Sequence, residues 1–269
     1  MRPRKRFAQH WLKDDRVLDR IVAAADLKDD DRVLEIGPGT GNLTRKLLPW
    51  VQSVLAVELD RDLCAKLVKQ FGDRDNFILL QGDFLDLEFP ELPPHFHNPN
   101  KVVANIPYNI TGPILEKLLG TIKAPENRYE SVVLLVQKEI AQRLTATPGS
   151  REFGALTVRV RYVAECEWVC DVPPKAFSPP PKVESAVIKL TPRSFPVPAQ
   201  DPQFLAKLVK WGFANKRKML RNNLKGNFDR DRLLEILSAL SLDPKCRPED
   251  VSVADWVKLS DRLGNELSS

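Results

Sequence analysis

Three stretches of this chain hold residue types whose spacing could do chemistry. The first is Glu35-Ile36-Gly37-Pro38-Gly39-Thr40-Gly41, straight after a short apolar run. Glycines at a strand-to-helix turn let a ligand approach the backbone closely, and the N–H groups that open the next helix are unpaired. The spacing is G-x-G-x-G, with Asn42 where a dinucleotide fingerprint has its third glycine. No G-x-x-x-x-G-K-[ST] run occurs, which argues against a nucleoside triphosphatase. The second stretch is a pair of acids. Glu58 ends the next apolar run, seventeen residues past Gly41, and Asp83 follows Gly82 at the end of a third. An acid at the tip of a second parallel strand can accept both hydroxyls of a ribose. A carboxylate on the strand beyond it can accept the amino group of an adenine. Together they suit an adenosine-containing cofactor without a pyrophosphate, and S-adenosylmethionine is such a cofactor.

The third stretch is Asn105-Ile106-Pro107-Tyr108. An exocyclic amine of adenine is a poor nucleophile, because its lone pair is delocalised into the ring. Hydrogen bonds from that amine to the Asn105 side-chain oxygen and a nearby backbone carbonyl would favour a tetrahedral nitrogen. Tyr108 could stack on a base flipped out of its helix. A sulfonium methyl is a strong electrophile, so positioning can supply most of the catalysis. The chemistry needs no metal or covalent nucleophile. Of the histidines, only His95 and His97 lie close together in sequence, without a third ligand to complete a metal site.

These motifs call for a particular frame. Val17, Leu18, Ile21, Val22 and Ala25 form the stripe of a helix over 14–25. Strands are predicted at 33–36, 53–59, 77–80, 101–106 and 131–136, with helices at 42–48, after Asp60, at 114–119 and at 138–144. Alternating strands and helices imply a parallel sheet covered on both faces, with the three motifs at the carboxyl ends of its strands. Residues 165–172 and 183–190 read as two further strands, a hairpin ending the sheet. The proline-rich run 191–202 reads as a linker, and only helices follow: about 203–214, 216–225, 229–240 and 253–263. The expected domains are therefore 1–195, holding the cofactor site behind a basic amino-terminal segment, and 196–269, all helical. Trp50, Trp168, Trp211 and Trp256 are expected to be core or interdomain anchors, and Trp11 to close over the cofactor.

Composition narrows the class. The chain has 269 residues, 43% hydrophobic and 29% charged, which excludes collagen-like, wholly disordered and disulfide-scaffold proteins. Four scattered cysteines predict reduced thiols. No apolar run approaches the roughly 20 residues of a membrane span, and no apolar segment follows the basic start, so neither a signal peptide nor an anchor is expected. The net charge of +5 is unevenly spread. Residues 1–20 carry a net +4 and residues 201–227 a net +6, which leaves the remainder acidic. Segregated positive charge is what binding a phosphate backbone needs. Lys216, Arg217, Lys218 and Arg221 are the candidate RNA contacts, with Asn215, Asn222 and Asn223 as added hydrogen-bonding groups.

Taken with Arg-Lys-Arg-Phe-Ala-Gln-His-Trp-Leu at 4–12, Phe177-Ser-Pro-Pro-Pro-Lys-Val-Glu-Ser at 177–185 and Lys-Arg-Lys-Met-Leu-Arg-Asn-Asn-Leu at 216–224, these motifs give the chain a specific likeness. It resembles the ribosomal RNA adenine dimethyltransferases, of the small-subunit type, over nearly its whole length. That resemblance implies an α/β fold, a Rossmann-like class I methyltransferase sheet with a small all-helical C-terminal domain. It implies S-adenosylmethionine bound by His10, Leu12, Gly37, Gly39, Glu58, Asp83 and Asn105, and chemistry at Asn105, Ile106, Pro107 and Tyr108. Phe177 would sandwich the target base opposite Tyr108. His10 stands where many members have Asn, and Ala8 where Gly is usual.

The implied reaction is transfer of four methyl groups to two adjacent adenosines near the 3′ end of small-subunit ribosomal RNA. The implied setting is a pre-ribosomal particle met in the cytoplasm by a monomer, with no membrane and no metal. Two other readings share parts of the pattern. A large-subunit methylase of the resistance type also carries Asn-Ile-Pro-Tyr, although the 216–224 segment and the helical tail favour the small-subunit enzyme. An RNA-binding assembly or transcription factor could keep the fold without catalysis, against which stand Glu58, Asp83 and Asn105-Ile106-Pro107-Tyr108.

Overall fold

The computed structural model describes residues 10–87, 91–215 and 217–267. Its elements run in chain order as follows. A two-residue strand β1 (Trp11–Leu12) leads to α1 (Asp15–Ala25), β2 (Arg32–Ile36), α2 (Asn42–Leu47), β3 (Ser53–Glu58), α3 (Arg61–Phe71) and β4 (Phe77–Gln81). Then come β5 (Lys101–Asn105), α4 (Thr111–Leu119), β6 (Ser131–Gln137), α5 (Lys138–Thr145) and α6 (Ala155–Val163). The hairpin β7 (Ala164–Val172) and β9 (Ser185–Pro192) encloses a short β8 (Phe177–Ser178). Helices α7 (Pro202–Gly212), α8 (Leu220–Leu224), α9 (Arg230–Ala239) and α10 (Val253–Leu267) complete the chain.

The seven-stranded sheet has the order β4-β3-β2-β5-β6-β9-β7. Strands β2 to β6 pair in parallel, and β9 adds antiparallel to β6. Every residue of β3 is buried, as a central parallel strand covered on both faces requires. Strand order reverses between β2 and β5. In open α/β sheets the crevice outside the carboxyl ends at such a switch point is where ligands bind. The glycine loop after β2 and Asn105 at the end of β5 flank it.

Local chemistry sets the element ends. Asp14 caps α1 by accepting from the Arg16 N–H at 3.0 Å, and α1 buries Val17, Leu18, Ile21 and Ala25 on one face. Asp60 caps α3 the same way through the Asp62 N–H at 2.9 Å. Gly41 has φ +79°, and a Cβ there would lie 2.5 Å from Cε2 of Phe71, so only glycine fits.

The chain forms two compact units. The first comprises the described part of Met1–Leu118 with Asn127–Ala141 and Cys166–Pro192; the second comprises Leu119–Glu126, Gln142–Glu165 and the described part of Arg193–Ser269. The second unit thus takes in chain from well before residue 195. Helix α6, absent from the sequence reading, belongs to it: the Tyr162 hydroxyl accepts from the Ala199 N–H at 3.1 Å, and the Tyr162 ring stacks on Phe195 at 5.1 Å. Trp256 is fully buried in this unit against Gly212, where a Cβ would lie 2.3 Å from the indole.

Several expectations change. Trp50 is 60% exposed and Trp168 37% exposed, so neither is a core anchor. Trp50 ends a 3₁₀ turn that Pro49 forces after α2. The helix expected over 216–225 shrinks to Leu220–Leu224. The side-chain N–H groups of Asn223 donate to the carbonyls of Gly212, at 2.5 Å, and Asn215, at 3.1 Å, so they are not free for RNA.

Candidate active site

A cavity of about 240 Å³ opens at the switch point. Its lining brings together residues from four strand ends and the amino-terminal segment: Gly37 and Gly39 after β2, Glu58 on β3, Asp83 after β4, and Asn105, Ile106, Pro107 and Tyr108 after β5. His10, Trp11 and Leu12 complete it. The sheet does this because parallel strands all release their chains at one edge.

Glu58 is 7% exposed and splits its two oxygens between backbone donors. Oε2 accepts from the Gly39 N–H at 3.1 Å and Oε1 from the Asp60 N–H at 2.9 Å. Burial raises its pKa, against the lowering effect of those N–H groups. The carboxylate keeps lone-pair capacity for a ligand hydroxyl. Asp83 accepts from the Leu85 N–H through Oδ1 at 2.9 Å, which fixes its carboxylate at the mouth of the cavity.

Glu35 is a lining residue that sequence reasoning passed over as part of the loop. It is 1% exposed, and its Oε2 accepts from the Thr44 hydroxyl at 2.7 Å. Burial pushes its pKa up to about 8, with the Thr44 hydrogen bond opposing and the nearby Glu58 charge adding. An acid among Val33, Leu34 and Ile36 of β2 was the available signal.

Asn105 and Tyr108 sit together. The Asn105 side-chain N–H lies 3.5 Å from the His10 carbonyl, and among the described residues its Oδ1 has no partner. Tyr108 is half-buried, its hydroxyl 2.5 Å from Ser185 Oγ, and burial raises its pKa so that it stays a neutral phenol. The His10 ring lies near parallel to the Tyr108 ring, with centroids 6.5 Å apart. His10 Nδ1 is 2.8 Å from the Pro179 carbonyl, so the side chain is held there and its backbone carbonyl faces Asn105.

Phe177 is not among the lining residues. It is 1% exposed, on β8, opposite Leu12 of β1. In this arrangement its ring is core and offers no face to a base, which corrects the expectation that it sandwiches the base opposite Tyr108. The β1–β8 pairing was invisible in sequence, since two-residue strands show no periodicity. Leu12 itself is buried, and its carbonyl accepts from the Asn42 side chain at 2.7 Å. That bond ties the amino-terminal motif to the residue that replaces the third glycine.

The arrangement fits the methyl donor on its own features: two carboxylates at successive strand ends, a glycine turn with φ +61° at Gly39, and an aromatic wall of Trp11. Trp11 Nε1 is a buried donor without a hydrogen-bond partner. Among the described residues no group of three or more His, Cys, Asp or Glu could hold a metal ion. Cys64, Cys170 and Cys246 are buried free thiols.

Comparison with known proteins decides the family. A model described as ribosomal RNA adenine dimethylase matches residues 1–265. The chain belongs to this family. Among its relatives, Ribosomal RNA small subunit methyltransferase A of a Nostoc species is 60% identical over 99% of this chain and 100% of its own. The protein of the same name from Synechococcus elongatus is 54% identical over 100% and 98%. A solved dimethyladenosine transferase from Plasmodium falciparum is 30% identical, covers 96% of this chain and 98% of its own, and superposes with a TM-score of 0.80. The 23S rRNA methyltransferase ErmE is 28% identical, covers 94% and 99%, and has a TM-score of 0.74. The fold is the Rossmann-like α/β fold of the class I methyltransferases. As a member of the ribosomal RNA adenine dimethylase family, the chain is an enzyme, dependent on S-adenosylmethionine, and its substrate is ribosomal RNA.

Of the candidate RNA contacts, Arg217 and Lys218 are exposed in the turn before α8 and Arg221 is half-buried on it, while Lys216 lies outside the described residues. The basic stretch at residues 4–9 lies outside them too.

Proposed function

We propose that this enzyme dimethylates the 6-amino groups of two adjacent adenosines near the 3′ end of small-subunit ribosomal RNA. The observation that carries the reading is the unpartnered Oδ1 of Asn105 in the same cavity as Glu58 and Asp83. Bound S-adenosylmethionine supplies an electrophilic methyl group. Glu58 would hold its ribose hydroxyls, Asp83 its adenine amino group, and Gly37, Gly39 and the His10–Leu12 backbone the remainder.

Asn105 Oδ1 accepts a hydrogen bond from the target amine and so orients its nitrogen lone pair. A backbone carbonyl of the Ile106-Pro107 segment accepts the hydrogen bond of the amine's second N–H. Pro107, with φ −61°, leaves the 3₁₀ turn that carries Tyr108 little freedom. Tyr108 stacks on the base; such contacts are worth about 1–3 kcal/mol. After one transfer the amine keeps a single proton, and Asn105 alone can hold it for the second.

The substrate form is a pre-ribosomal small-subunit particle, engaged by a monomer in the cytoplasm through the basic helical tail. No helix among the described residues is long and apolar enough to cross a membrane. Relatives 54% to 60% identical carry the small-subunit name, which weighs against the large-subunit reading. The test is methylation of undermodified small subunits with labelled donor, followed by nucleoside analysis. Label in dimethyladenosine of the small-subunit RNA supports the proposal; label only in large-subunit RNA overturns it.

A further inference from the structure

The 177–185 motif ends at Ser185, to which the reaction described so far gives no part. Ser185 opens β9 and is completely buried, paired with Gln137 at the end of β6. The chain just before it is fastened. The Lys138 N–H donates to the Glu184 carbonyl at 3.0 Å, and Lys138 Nζ donates to the Glu184 carboxylate at 2.9 Å. The same ammonium lies 3.4 Å from an Asp171 oxygen. The backbone of Ser185 therefore sits in a sheet ladder flanked by a salt-bridge cluster, and its hydroxyl is a fixed point.

That hydroxyl lies 2.5 Å from the hydroxyl of Tyr108, 77 residues away in sequence. Tyr108 stands on a three-residue 3₁₀ turn, a short and intrinsically weak element. Its backbone carbonyl accepts from the Thr111 hydroxyl at 3.1 Å. Nothing in the turn itself sets where the ring lies. A hydrogen bond at the far end of the phenol does, because it holds the hydroxyl oxygen in place and so restrains the first side-chain torsion.

We propose that Ser185 is a positioning residue for methyl transfer: its hydroxyl pins the Tyr108 hydroxyl and so fixes where the ring lies when the target adenine stacks on it. The inference rests on the reading that Tyr108 stacks on the base. It gives the bond to Tyr108 a purpose that burial alone does not, since a buried serine at a strand start could equally have bonded to its own strand. A base held against a swinging ring would present its amine to Asn105 in the reacting geometry only part of the time. The loss therefore falls on turnover and leaves cofactor binding alone.

The experiment is a double-mutant cycle with Ser185→Ala, Tyr108→Phe and the pair, assayed on undermodified small subunits with labelled donor, with cofactor affinity by calorimetry. Loss of one ordinary hydrogen bond predicts a five- to tenfold fall in kcat for Ser185→Ala, with cofactor Kd within twofold of wild type. In the Tyr108→Phe background the same change should cost less than twofold, because the bond is already gone. Equal losses in both backgrounds, or a Ser185→Ala kcat within twofold of wild type, overturn the proposal. Should Ser185→Ala not fold, Tyr108→Phe alone decides: a five- to tenfold fall supports the pin and wild-type turnover overturns it. Tyr108→Ala separates the underlying reading. If it turns over normally, the stacking assignment fails; if it is inactive while Ser185→Ala is unaffected, only the role of Ser185 fails.

Discussion

Glu58 accepts a hydrogen bond from the backbone N–H of Gly39, its Oε2 lying 3.1 Å from that nitrogen. The acid at the end of β3 thus holds the glycine loop at the end of β2, and the ribose subsite and the loop that would cradle the rest of the cofactor form one unit. Glycine adopts the φ of +61° seen at Gly39 without strain but without preference, so the bond to Glu58 is what selects that one conformation of the loop. Three positive-φ glycines in five residues would otherwise be a loose turn.

Replacing Glu58 with Ala should weaken cofactor binding by more than about tenfold. The ribose loses charge-assisted hydrogen bonds worth about 1.5–3 kcal/mol. The N–H groups of Gly39 and Asp60 lose their acceptor as well, so Glu58→Gln, which keeps one acceptor oxygen, should fall between Ala and wild type. Calorimetry measures this directly. An Ala variant with wild-type affinity rejects the ribose assignment.

Asn105→Ala should abolish methyl transfer while leaving RNA affinity nearly intact. The side chain orients the amine, whereas affinity for RNA comes mainly from phosphate contacts by basic residues. Turnover should drop by far more than the roughly tenfold that an ordinary hydrogen bond explains. A single-turnover assay beside a filter-binding titration separates the two effects. Residual turnover within tenfold of wild type would remove Asn105 from the chemistry.

Glu35 gives the protein a pH dependence of definite sign. Its pKa in the folded chain is about 8, raised by burial from the 4.5 of an exposed carboxyl. The folded state therefore holds a proton that the unfolded chain releases between those values. Its contribution to stability is complete below pH 4.5 and is lost as pH rises toward 8, at up to about 1.4 kcal/mol per pH unit. Glu58, whose pKa is raised in the same direction, works with it. Glu35→Gln keeps an acceptor for Thr44 without the titration. It should flatten the pH 5–8 stability profile and raise Tm at pH 8 by at least about 3 °C. Parallel wild-type and variant profiles across that range would show that Glu35 stays ionised in the fold.

Changing Lys216, Arg217, Lys218 and Arg221 together to Ala should weaken small-subunit binding and flatten its salt dependence. Each phosphate contact contributes roughly 0.7–0.9 to the log–log slope, so the slope should fall by about 2 to 3. The lower end is the better expectation, because Arg221 is half-buried on α8. Cofactor affinity should stay within twofold. A variant with the wild-type slope would move the RNA footprint to the amino-terminal basic segment.

The sequence by itself determined most of the frame and most of the chemistry. Apolar runs closed by Gly37, Glu58, Asp83 and Asn105 announce parallel strands whose carboxyl ends carry a site, because strand period and end chemistry are local properties. The β7–β9 hairpin was legible for the same reason, and so was the cap at Asp60.

Tertiary structure decided what no local pattern encodes. It paired Leu12 with Phe177 through two-residue strands 165 positions apart, and that pairing buries the ring expected to meet the base. It spent the Asn223 side chain on the carbonyls of Gly212 and Asn215, and it left α8 shorter than its composition suggested. It set Ser185 against Tyr108, and it raised the pKa of Glu35, an acid that in sequence looks like any other. The physical reason is common to all of these. Which donor meets which acceptor, and how much water a carboxyl keeps, depend on groups brought close only when distant segments pack.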